Sequence, residues 1–582
     1  MAVDFSGTAA QVSEAFRTEI HYFNVNGARH IANMTDPSVP EALSPAVLGV
    51  VSLHDFKPHP LRRPRSEYTF KTSGGTYQVV TPGDLAAIYD LNPLFSTGIT
   101  GKGQTISAIE DTDLYTANDW TTFRSTFGLS QYKGGSLTTV HPAPASGSNN
   151  CKDPGLVAGD DGEAIIDVEW ASAGAPEATI LLASCAGTRT TFGGFIALTN
   201  QVNSKTPPQI VTISYGQCEA ENGTACNAAF SSLYQQAVAE GTSVFVAAGD
   251  QGAASCDAGA GGAAHGIGVS GFASTPYNVS VGGTDFADNY LGINGSSWSS
   301  TNSATFESAI AYIPEMAWND TCASSLIAAH LGYTALYGSS GFCITSTASK
   351  DGLLQVLAGS GGPSGCATGS PSTSGEVGGT CKGYAKPSRQ TGVPGVAADS
   401  VRDIPDVSLF AATGVWGHYL VDCWSDTRNG GSSCAGAPST WDGGGGTSYT
   451  SPIFAGFQAL VNQANGGAQG NPNYVFYKMA VASGLMCNSS GTIAASCIFH
   501  NVTLGDNVVP CAGMVGCYGA TPNSGRHGIL GLFGFGTQTY DGALSTSSTA
   551  FVPGYKAGTG WNLATGLGSV DVYRLVTAWK HY

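Results

Sequence analysis

Short apolar runs alternate with stretches of helical spacing from about residue 80 onward. Runs rich in β-branched residues predict strands, and apolar residues three and four positions apart predict helices. The predicted strands are 104–109, 179–183, 209–214 and 243–248, and the predicted helices are 162–173, 228–240 and 451–465. Strands that alternate with helices usually pair in parallel. The pattern therefore predicts an α/β fold, with a mostly parallel central sheet covered by helices on both faces.

The first 56 residues follow a different pattern, with helical spacing at 9–19 and strand-like alternation at 20–25. They predict a small α+β piece. Residues 57–79 begin with KPHPLRRPR, where four basic residues and three prolines fall within nine positions. This composition is typical of an exposed linker. The linker is either an ordinary tether or a segment cut during activation, and the sequence leaves both interpretations open.

Residues 80–582 form the predicted main domain, in which 318–385 is rich in Ser, Gly and Cys and predicts a disulfide-tied surface insertion. The 15 cysteines include no CxxC motif, and no histidine spacing resembles a zinc site, which indicates disulfides and an oxidising compartment. The odd count leaves at least one thiol unpaired, and the pairing cannot be read from the sequence. Cysteines close in sequence are Cys218/Cys226, Cys322/Cys343, Cys366/Cys381, Cys423/Cys434, Cys487/Cys497 and Cys511/Cys517.

The formal charge of −17, from 41 acidic and 24 basic residues, argues against nucleic acid as a partner, because phosphate contacts need a basic surface. No apolar run is long enough to span a bilayer, so no membrane association is expected. The few Lys and Arg residues suit an acidic medium, in which carboxyl groups are neutral. Residues 1–20 lack the apolar segment of a signal peptide, which a missing natural N-terminus would explain.

Ser448 follows four glycines and a threonine just before a predicted helix. A substrate backbone can approach a serine closely in such a place, and the N–H groups of the helix start favour a developing anion. The same pattern fits a simple helix N-cap after a flexible loop. Taken alone, the pattern favours that structural interpretation.

Glu163 and Asp167 are four residues apart and therefore lie on one face of the predicted helix. Two adjacent carboxyl groups repel each other as anions, so one tends to keep its proton, and the pair can act as a base with a supporting acid. The structural alternative is a capping box from Asp160 to Glu163 with a solvated Asp167. The apolar neighbours Ile165 and Ile166 weigh against this alternative.

Asp250 comes just after a predicted buried strand, where doubly wound sheets place their sites. Its carboxyl group could simply cap a turn. As a protonated acid it could instead donate a hydrogen bond to a reacting carbonyl oxygen, a role that needs low pH or a raised pKa.

These three sites together resemble those of the sedolisins, the serine-carboxyl peptidases, which are similar to subtilisins adapted to acid. The resemblance covers nearly the whole chain and implies a subtilisin-like fold. Besides Glu163-x-x-x-Asp167, it is carried by the segments 175–176, 213–216, 248–250, 281–284, 402–408, 445–448, 560–561 and 565–568.

The resemblance implies that Ser448 is the nucleophile and Glu163 the general base. It further implies that Asp167 holds Glu163 and that Asp250 is a protonated acid in the oxyanion hole. We also hypothesise that Glu110, which follows a predicted strand, extends this carboxyl network.

Ser214, Tyr215 and Gly216 are, by the same resemblance, the residues that bind the substrate backbone as an added strand. The family often has tryptophan at the position of Tyr215. Residues 27–54 are similar to the end of a pro-kumamolisin-type propeptide. Residues 1–56 are therefore interpreted as a propeptide remnant that acts as an intramolecular inhibitor.

A calcium ion near the C-terminus is also implied by the resemblance, within 499–568. The family site uses two aspartates and backbone carbonyls. The matching ligands are Asn501, Val502, Gly558, Gly560 and Asn562, with asparagine at both aspartate positions. Amide oxygens can bind Ca²⁺ but bring no charge, so either a weak calcium site or an empty one held by hydrogen bonds is expected.

The sequence thus predicts a secreted, monomeric serine-type endopeptidase that hydrolyses proteins or peptides at acidic pH through an acyl-enzyme intermediate. The alternatives are a catalytically silent secreted relative that serves as a binding protein, and a metal-dependent hydrolase. The intact set of candidate catalytic residues weighs against the first, and the lack of a His/Asp ligand cluster weighs against the second.

Overall fold

The computed structural model describes residues 3–25, 27–70, 77–482, 486–491, 493–513, 515–521 and 540–582. In chain order the strands are β1 (Ile20–Val25), β2 (Ala28–Asn33), β3 (His59–Pro60), β4 (Arg63–Pro64), β5 (Gln78–Val80), β6 (Thr105–Glu110), β7 (Ser136–Val140), β8 (Thr179–Ser184), β9 (Ile210–Ile213), β10 (Tyr215–Gly216), β11 (Ser243–Ala247), β12 (Val279–Phe286), β13 (Glu315–Ala317), β14 (Gly362–Pro363), β15 (Asp403–Ile404), β16 (Val407–Phe410), β17 (His418–Asp422), β18 (Asp442–Gly445), β19 (Met486–Asn488), β20 (Phe499–Asn501), β21 (Pro510–Cys511), β22 (Cys517–Tyr518), β23 (Gly542–Leu544) and β24 (Ser569–Val570). The helices are α1 (Ala9–Phe16), α2 (Pro82–Ile88), α3 (Asn92–Ser96), α4 (Ala117–Thr126), α5 (Asp161–Gly174), α6 (Gly193–Val202), α7 (Glu219–Ala239), α8 (Asp288–Leu291), α9 (Asn294–Ser297), α10 (Ser325–His330), α11 (Ser346–Lys350), α12 (Thr447–Asn465), α13 (Asn473–Val481) and α14 (Val572–Ala578).

An eight-stranded sheet lies at the centre of the main domain. Its order is β13-β12-β11-β9-β6-β8-β7, and β16 also pairs with β12. Its strands pair in parallel except at β12–β13. None of the helices in the described part of the chain is both long and apolar enough to cross a membrane.

Successive side chains of the central strands contribute to two separate cores. Ile106 and Ala108 of β6 pack into a core shared with α5 and α12, whereas Ile109 packs into one shared with α6 and α7. This division follows from the two-residue period of a strand. Helices therefore cover both faces of the sheet, and the predicted α/β fold is confirmed.

The predicted elements lie where expected, but two helices begin earlier than their hydrophobic patterns indicate. Helix α12 starts at Thr447 rather than 451, directly after the left-handed Gly446. Helix α7 starts at Glu219 rather than 228, and Gly223 interrupts it with non-helical angles. The early start of α12 is important because it places Ser448 in the first helical turn.

The N-terminal piece consists of α1 and the antiparallel pair β1–β2. The linker that follows enters the main domain through two short strand pairings. Strand β3 pairs antiparallel with β10, and β4 pairs antiparallel with β18. Residues 59–64 of the linker are thus held in an extended form across the main domain.

Seven disulfides tie the main domain together, and Cys226 is the free cysteine. The neighbours Cys218 and Cys226 are not joined, because Cys218 bonds to Cys256 instead. Segment 318–385 holds two of the bonds, and its side chains Trp318 and Phe342 are buried. The other bonds are Cys151–Cys185, Cys423–Cys434, Cys487–Cys497 and Cys511–Cys517.

Helices α5 and α12 carry the candidate acid pair and the candidate nucleophile, and they touch at two glycines. A β-carbon on Gly456 of α12 would lie 2.8 Å from the Cα of Gly174 in α5. A β-carbon on Gly174 would lie 2.8 Å from the carbonyl oxygen of Ile453. The two helices therefore approach at this point as closely as their backbone atoms allow.

We expect Gly456→Ala to lower the free energy of unfolding by about 1–3 kcal/mol, because the added methyl overpacks the α5–α12 contact. Denaturant titration followed by circular dichroism measures this change. Gly295→Ala is the matched control, since an added β-carbon in α9 meets nothing within 4 Å. An equal loss in both variants would show that the α5–α12 contact has no special sensitivity.

Candidate active site

Ser448 lies in the first turn of α12, and the N-cap of this helix is Gly446, so Ser448 is not itself the cap. Gly446 has a φ of 112°, which favours glycine. A β-carbon there would also collide with the carbonyl oxygen of Leu61 in the linker. The Ser448 hydroxyl is buried and makes no hydrogen bond of standard geometry to a described residue.

Glu163 lies in the first turn of α5, and its Oε2 accepts a hydrogen bond from the backbone N–H of Arg62 at 2.6 Å. Burial raises the pKa of Glu163 well above its ordinary value, and the neighbouring Asp167 raises it further. The Arg62 N–H and the Ser448 hydroxyl act in the opposite direction. The Ser448 hydroxyl is thus close enough to Glu163 to stabilise its charge, although its geometry falls outside a standard hydrogen bond. The alternative capping box does not form, because the α5 N-cap makes no side-chain cap bond.

Asp167 lies one turn further along α5. Its Oδ1 accepts a hydrogen bond from the Ser214 hydroxyl at 2.6 Å, and that hydroxyl also lies 3.2 Å from the carbonyl oxygen of Ser448. Burial raises the pKa of Asp167 to about 7, although hydrogen bonding with Ser214 and Glu110 lowers it. Burial likewise raises the pKa of Glu110 above its ordinary value, and Asp167 and Glu163 raise it further. The three carboxyl groups form one buried cluster in which the charge of one group affects the pKa of another.

Tyr215 connects this carboxyl cluster to a second pair of acids, Asp111 and Asp160. Its hydroxyl donates to Glu110 Oε2 at 2.9 Å, and Asp111 Oδ1 lies 3.1 Å from the same hydroxyl. Burial and the adjacent Asp111 raise the pKa of Asp160 to about 7, and Lys57 of the linker lowers it. The row of acids therefore extends from Glu163 and Asp167 to the start of the linker.

Asp250 follows β11 and points at the N-terminal turn of α12. Its Oδ1 accepts hydrogen bonds from the N–H and the hydroxyl of Thr447, at 2.8 and 2.9 Å. Its Oδ2 accepts from Nε of Arg63, a linker residue, at 3.0 Å. Burial raises the pKa of Asp250 above its ordinary value, while Arg63 and Thr447 lower it. All described partners of the Asp250 carboxyl group are hydrogen-bond donors, which suits a charged carboxylate in this state.

The linker runs between these residues in an extended form. On one side His59 and Pro60 pair with Gly216 and Tyr215, and the N–H of Leu61 donates to the Ser214 carbonyl at 3.1 Å.

On the other side of the cleft, Arg63 and Pro64 pair with Gly445 and Gly444 of β18. The peptide bond between Leu61 and Arg62 lies between the two pairings. Its carbonyl oxygen is next to Gly446, and its nitrogen is next to Glu163.

The structure brings the four candidate catalytic residues, Ser448, Glu163, Asp167 and Asp250, to one cleft, and it places segment 214–216 along the linker. The sequence did not indicate which linker residues lie in the cleft or which acidic side chains they contact. The Arg62 guanidinium contacts Asp422 and Asp442, neither of which lies in a recognisable motif. The basic run between prolines signalled the linker, but nothing in the sequence indicated its destination.

Comparisons with known proteins agree with the geometry. Residues 1–56 match the family model described as "Pro-kumamolisin, activation domain". The chain is 31% identical to kumamolisin from Bacillus sp. (strain MN-32) over 286 residues, which is 48% of each chain. It is 24% identical to sedolisin from Pseudomonas sp. (strain 101) over 580 residues, which is 99% of this chain and 74% of sedolisin. The chain thus spans about half of the first relative and about three quarters of the second.

A solved structure has the same fold: Pseudomonas sedolisin, a serine-carboxyl proteinase complexed with two molecules of pseudo-iodotyrostatin. The TM-score is 0.54 at 22% identity, and the match covers 87% of this chain and 99% of that chain. These findings confirm the resemblance to the serine-carboxyl peptidases and the subtilisin-like fold.

The candidate calcium ligands come together near the end of β20. Asn501 Nδ2 donates to the carbonyl oxygens of Gly560 and Gly558, at 2.6 and 3.3 Å. Asn562 Nδ2 donates to those of Val502 and Gly558, at 3.1 and 3.3 Å. The carbonyl oxygens that would face a cation face two amide NH₂ groups instead.

The orientation of both amides is fixed by backbone donors. The N–H of Gly560 donates to Asn501 Oδ1 at 2.9 Å, and the N–H of Thr565 donates to Asn562 Oδ1 at 3.0 Å. Flipping either amide would set its NH₂ against an N–H and its oxygen against a carbonyl. The residues present therefore do not fit a calcium ion.

We expect the thermal midpoint of the native protein to be the same with added Ca²⁺ and with a chelator. The double variant Asn501→Asp with Asn562→Asp loses the NH₂ donors and sets carboxylates against carbonyls. Its midpoint should fall, at a cost of about 1–3 kcal/mol per unsatisfied group, and should recover with Ca²⁺. Calorimetry above the ordinary carboxyl pKa measures both effects.

The exposed Asn118→Asp is the matched control, and its midpoint should not respond to Ca²⁺. A calcium-dependent rise in the native midpoint would contradict the assignment of these amides as the occupants of the site.

Proposed function

We propose that the chain is the precursor of a secreted serine-carboxyl endopeptidase that acts at acidic pH through Ser448. The observation that carries this proposal is the course of the linker. Its Leu61–Arg62 peptide bond lies between two antiparallel strand pairings, as an extended substrate would, with Arg62 N 2.6 Å from Glu163 Oε2. The linker therefore serves both as an inhibitor that fills the cleft and as the first substrate.

Acylation starts with attack of Ser448 Oγ on the carbonyl carbon of Leu61. The hydroxyl proton passes to Glu163, and the carbonyl oxygen becomes an oxyanion beside Gly446. Glu163 then returns the proton to the Arg62 nitrogen, the C–N bond breaks, and an ester to Ser448 remains. A water molecule then attacks the ester, and Glu163 takes a proton from it. Glu163 passes this proton to Ser448 Oγ as the ester bond breaks, which frees the product carboxyl group and the serine.

A carboxyl base works here because the cluster of Glu110, Glu163 and Asp167 titrates as a unit. Repulsion between the anions keeps protons on some of the three carboxyl groups. The first negative charge belongs to the cluster as a whole rather than to one carboxyl group. Removal of the linker exposes Glu163 to water and reduces the burial that raises its pKa. The mature site can therefore hold one ionised carboxyl at an acidic pH.

The acidic range follows from Asp250, which stabilises an oxyanion only when it is protonated. In the precursor Arg63 pairs with Asp250 and favours its charged form. Acid protonates Asp250, weakens its bond to Arg63 and supplies the missing donor in a single step. The same group thus restrains the precursor near neutral pH and permits cleavage in acid.

Incubation of the full chain in acid is expected to produce a new N-terminus at Arg62 and to release peptides from denatured casein. Ser448→Ala should abolish both, because no nucleophile remains, and Ser548→Ala, at an exposed serine, is the control. Mass spectrometry of the products measures both reactions. Equal processing in Ser448→Ala and the native chain would refute the assignment of the nucleophile.

Asp250→Asn is expected to extend activity toward neutral pH. The raised pKa of Asp250 means that its donor proton is present in acid and is lost as pH rises, whereas an amide donates at every pH. Asp250→Ala should lose activity at all pH values, by roughly 10²–10³ in kcat. The test is the pH profile of kcat/KM on the activated enzymes, and an upper limit that does not move in Asp250→Asn would count against the oxyanion role.

A further inference from the structure

We propose that the pocket around the Arg62 side chain selects peptide substrates with arginine directly after the bond that is cut. We call it the leaving-side pocket and define it by Asp422, Trp424, Asp442 and Tyr449. The proposal rests on the proposed function, because the linker marks where a substrate lies.

Two carboxylates and an aromatic ring surround the guanidinium. Nη2 of Arg62 lies 3.0 Å from Asp422 Oδ2 and 2.6 Å from Asp442 Oδ2. Cζ of Arg62 lies 4.9 Å from the centre of the Trp424 ring. A planar cation with several N–H donors satisfies all three contacts, and a charge-assisted bond to a buried carboxylate is stronger than a neutral one.

The two carboxylates are placed where they repel each other. Asp422 of β17 and Asp442 of β18 are directly opposite in the antiparallel register. The Asp422 side chain has no exposed surface, and that of Asp442 is 21% exposed. Like charges at facing positions destabilise a sheet, so this pair is stable as anions only with a cation between them.

The pocket belongs to the main domain and is fixed relative to the reacting serine. Tyr449 is the residue after Ser448, and its hydroxyl donates to Asp422 Oδ2 at 2.5 Å. Strand β18, which ends in Gly444 and Gly445, pairs with the linker backbone just after the bond. Any substrate that forms the same backbone pairing brings its first leaving-side residue to this pocket.

The walls of the pocket are held in place without the linker. Trp424 Nε1 donates to Asp161 Oδ2 at 2.8 Å, and the indole ring packs on Gly162 of α5. Cys423, which lies between Asp422 and Trp424 in sequence, is bonded to Cys434, and this disulfide restrains the loop. A pocket shaped before the substrate arrives loses little entropy on binding.

The charges facing Asp422 make the preference depend on pH. Besides Arg62, these groups are Asp442, Tyr449, Tyr419 and the buried Glu169, and Asp119 lies behind Glu169. Burial raises the pKa of Asp422 to about 6, and Arg62 opposes this effect. Deprotonation strengthens attraction for a cation, so arginine selectivity should grow as pH rises toward the limit of activity.

The test uses the full chain after acid activation and four quenched fluorescent peptides that differ only at the first leaving-side residue: Arg, Lys, Met or Glu. We expect kcat/KM to decrease in that order. The Arg peptide should exceed the Met peptide by roughly ten- to a hundred-fold, since a buried charged contact is lost. The Arg/Met ratio should also rise between the acid limit and the upper limit of activity.

Asp442→Asn should reduce the Arg/Met ratio several-fold, and Asp422→Asn should reduce it further. Asp442 is partly exposed, so its variant keeps the test valid if Asp422→Asn does not fold. Asp153→Asn, an exposed acid outside the pocket, is the matched control and should keep the native ratio.

The outcomes separate this proposal from the proposed function. If the native chain cleaves none of the peptides and behaves like Ser448→Ala, the proposed function fails. If it cleaves all four peptides at similar kcat/KM, the function stands and the leaving-side pocket is overturned as a selector; it then only anchors the linker. A native-like ratio in Asp442→Asn and Asp422→Asn overturns it as well.

Discussion

The rest of the structure depends on the burial of Glu110, Glu163 and Asp167 side by side. Three carboxyl groups in a space of low dielectric cannot all be ionised, because burial raises the pKa of each one and the charge of Asp167 further raises the pKa of Glu163 and Glu110. The cluster is therefore compatible with an enzyme that works where protons are abundant. The helices that carry Glu163 and Ser448, α5 and α12, pack closely against each other at Gly174 and Gly456.

Opposite charge explains how the linker is held in the cleft. Arg62 meets two carboxylates on the leaving side, and Arg63 meets Asp250 on the other side of the strand. Alternation along an extended chain sends these neighbouring side chains in opposite directions. The linker thus neutralises acids that would otherwise be left buried and unpaired. Under the proposed function, acid weakens this hold by protonating those acids, so that inhibition and activation by pH follow from the same contacts.

Asn501 and Asn562 show a different way to satisfy a group of converging carbonyl oxygens. Carbonyl oxygens that converge on one point need a positive partner, either a cation or N–H groups. Here two amide NH₂ groups take that place, with their oxygens fixed by backbone donors. The sequence revealed the change from aspartate, but only the directions of the amides decided between a weak calcium site and a hydrogen-bonded one.

The sequence by itself determined the α/β fold, four central strands and three helices in their chain order, and the resemblance to serine-carboxyl peptidases, because hydrophobic period and local motifs are properties of neighbouring residues. The candidate residues Glu163, Asp167, Asp250 and Ser448 were named on the same basis. Tertiary structure decided the pairing of Cys218 with Cys256, the place of the linker in the cleft, and the meeting of Arg62 with Asp422 and Asp442. Those contacts join residues far apart in the chain, and no local pattern specifies which distant strand a segment will pair with.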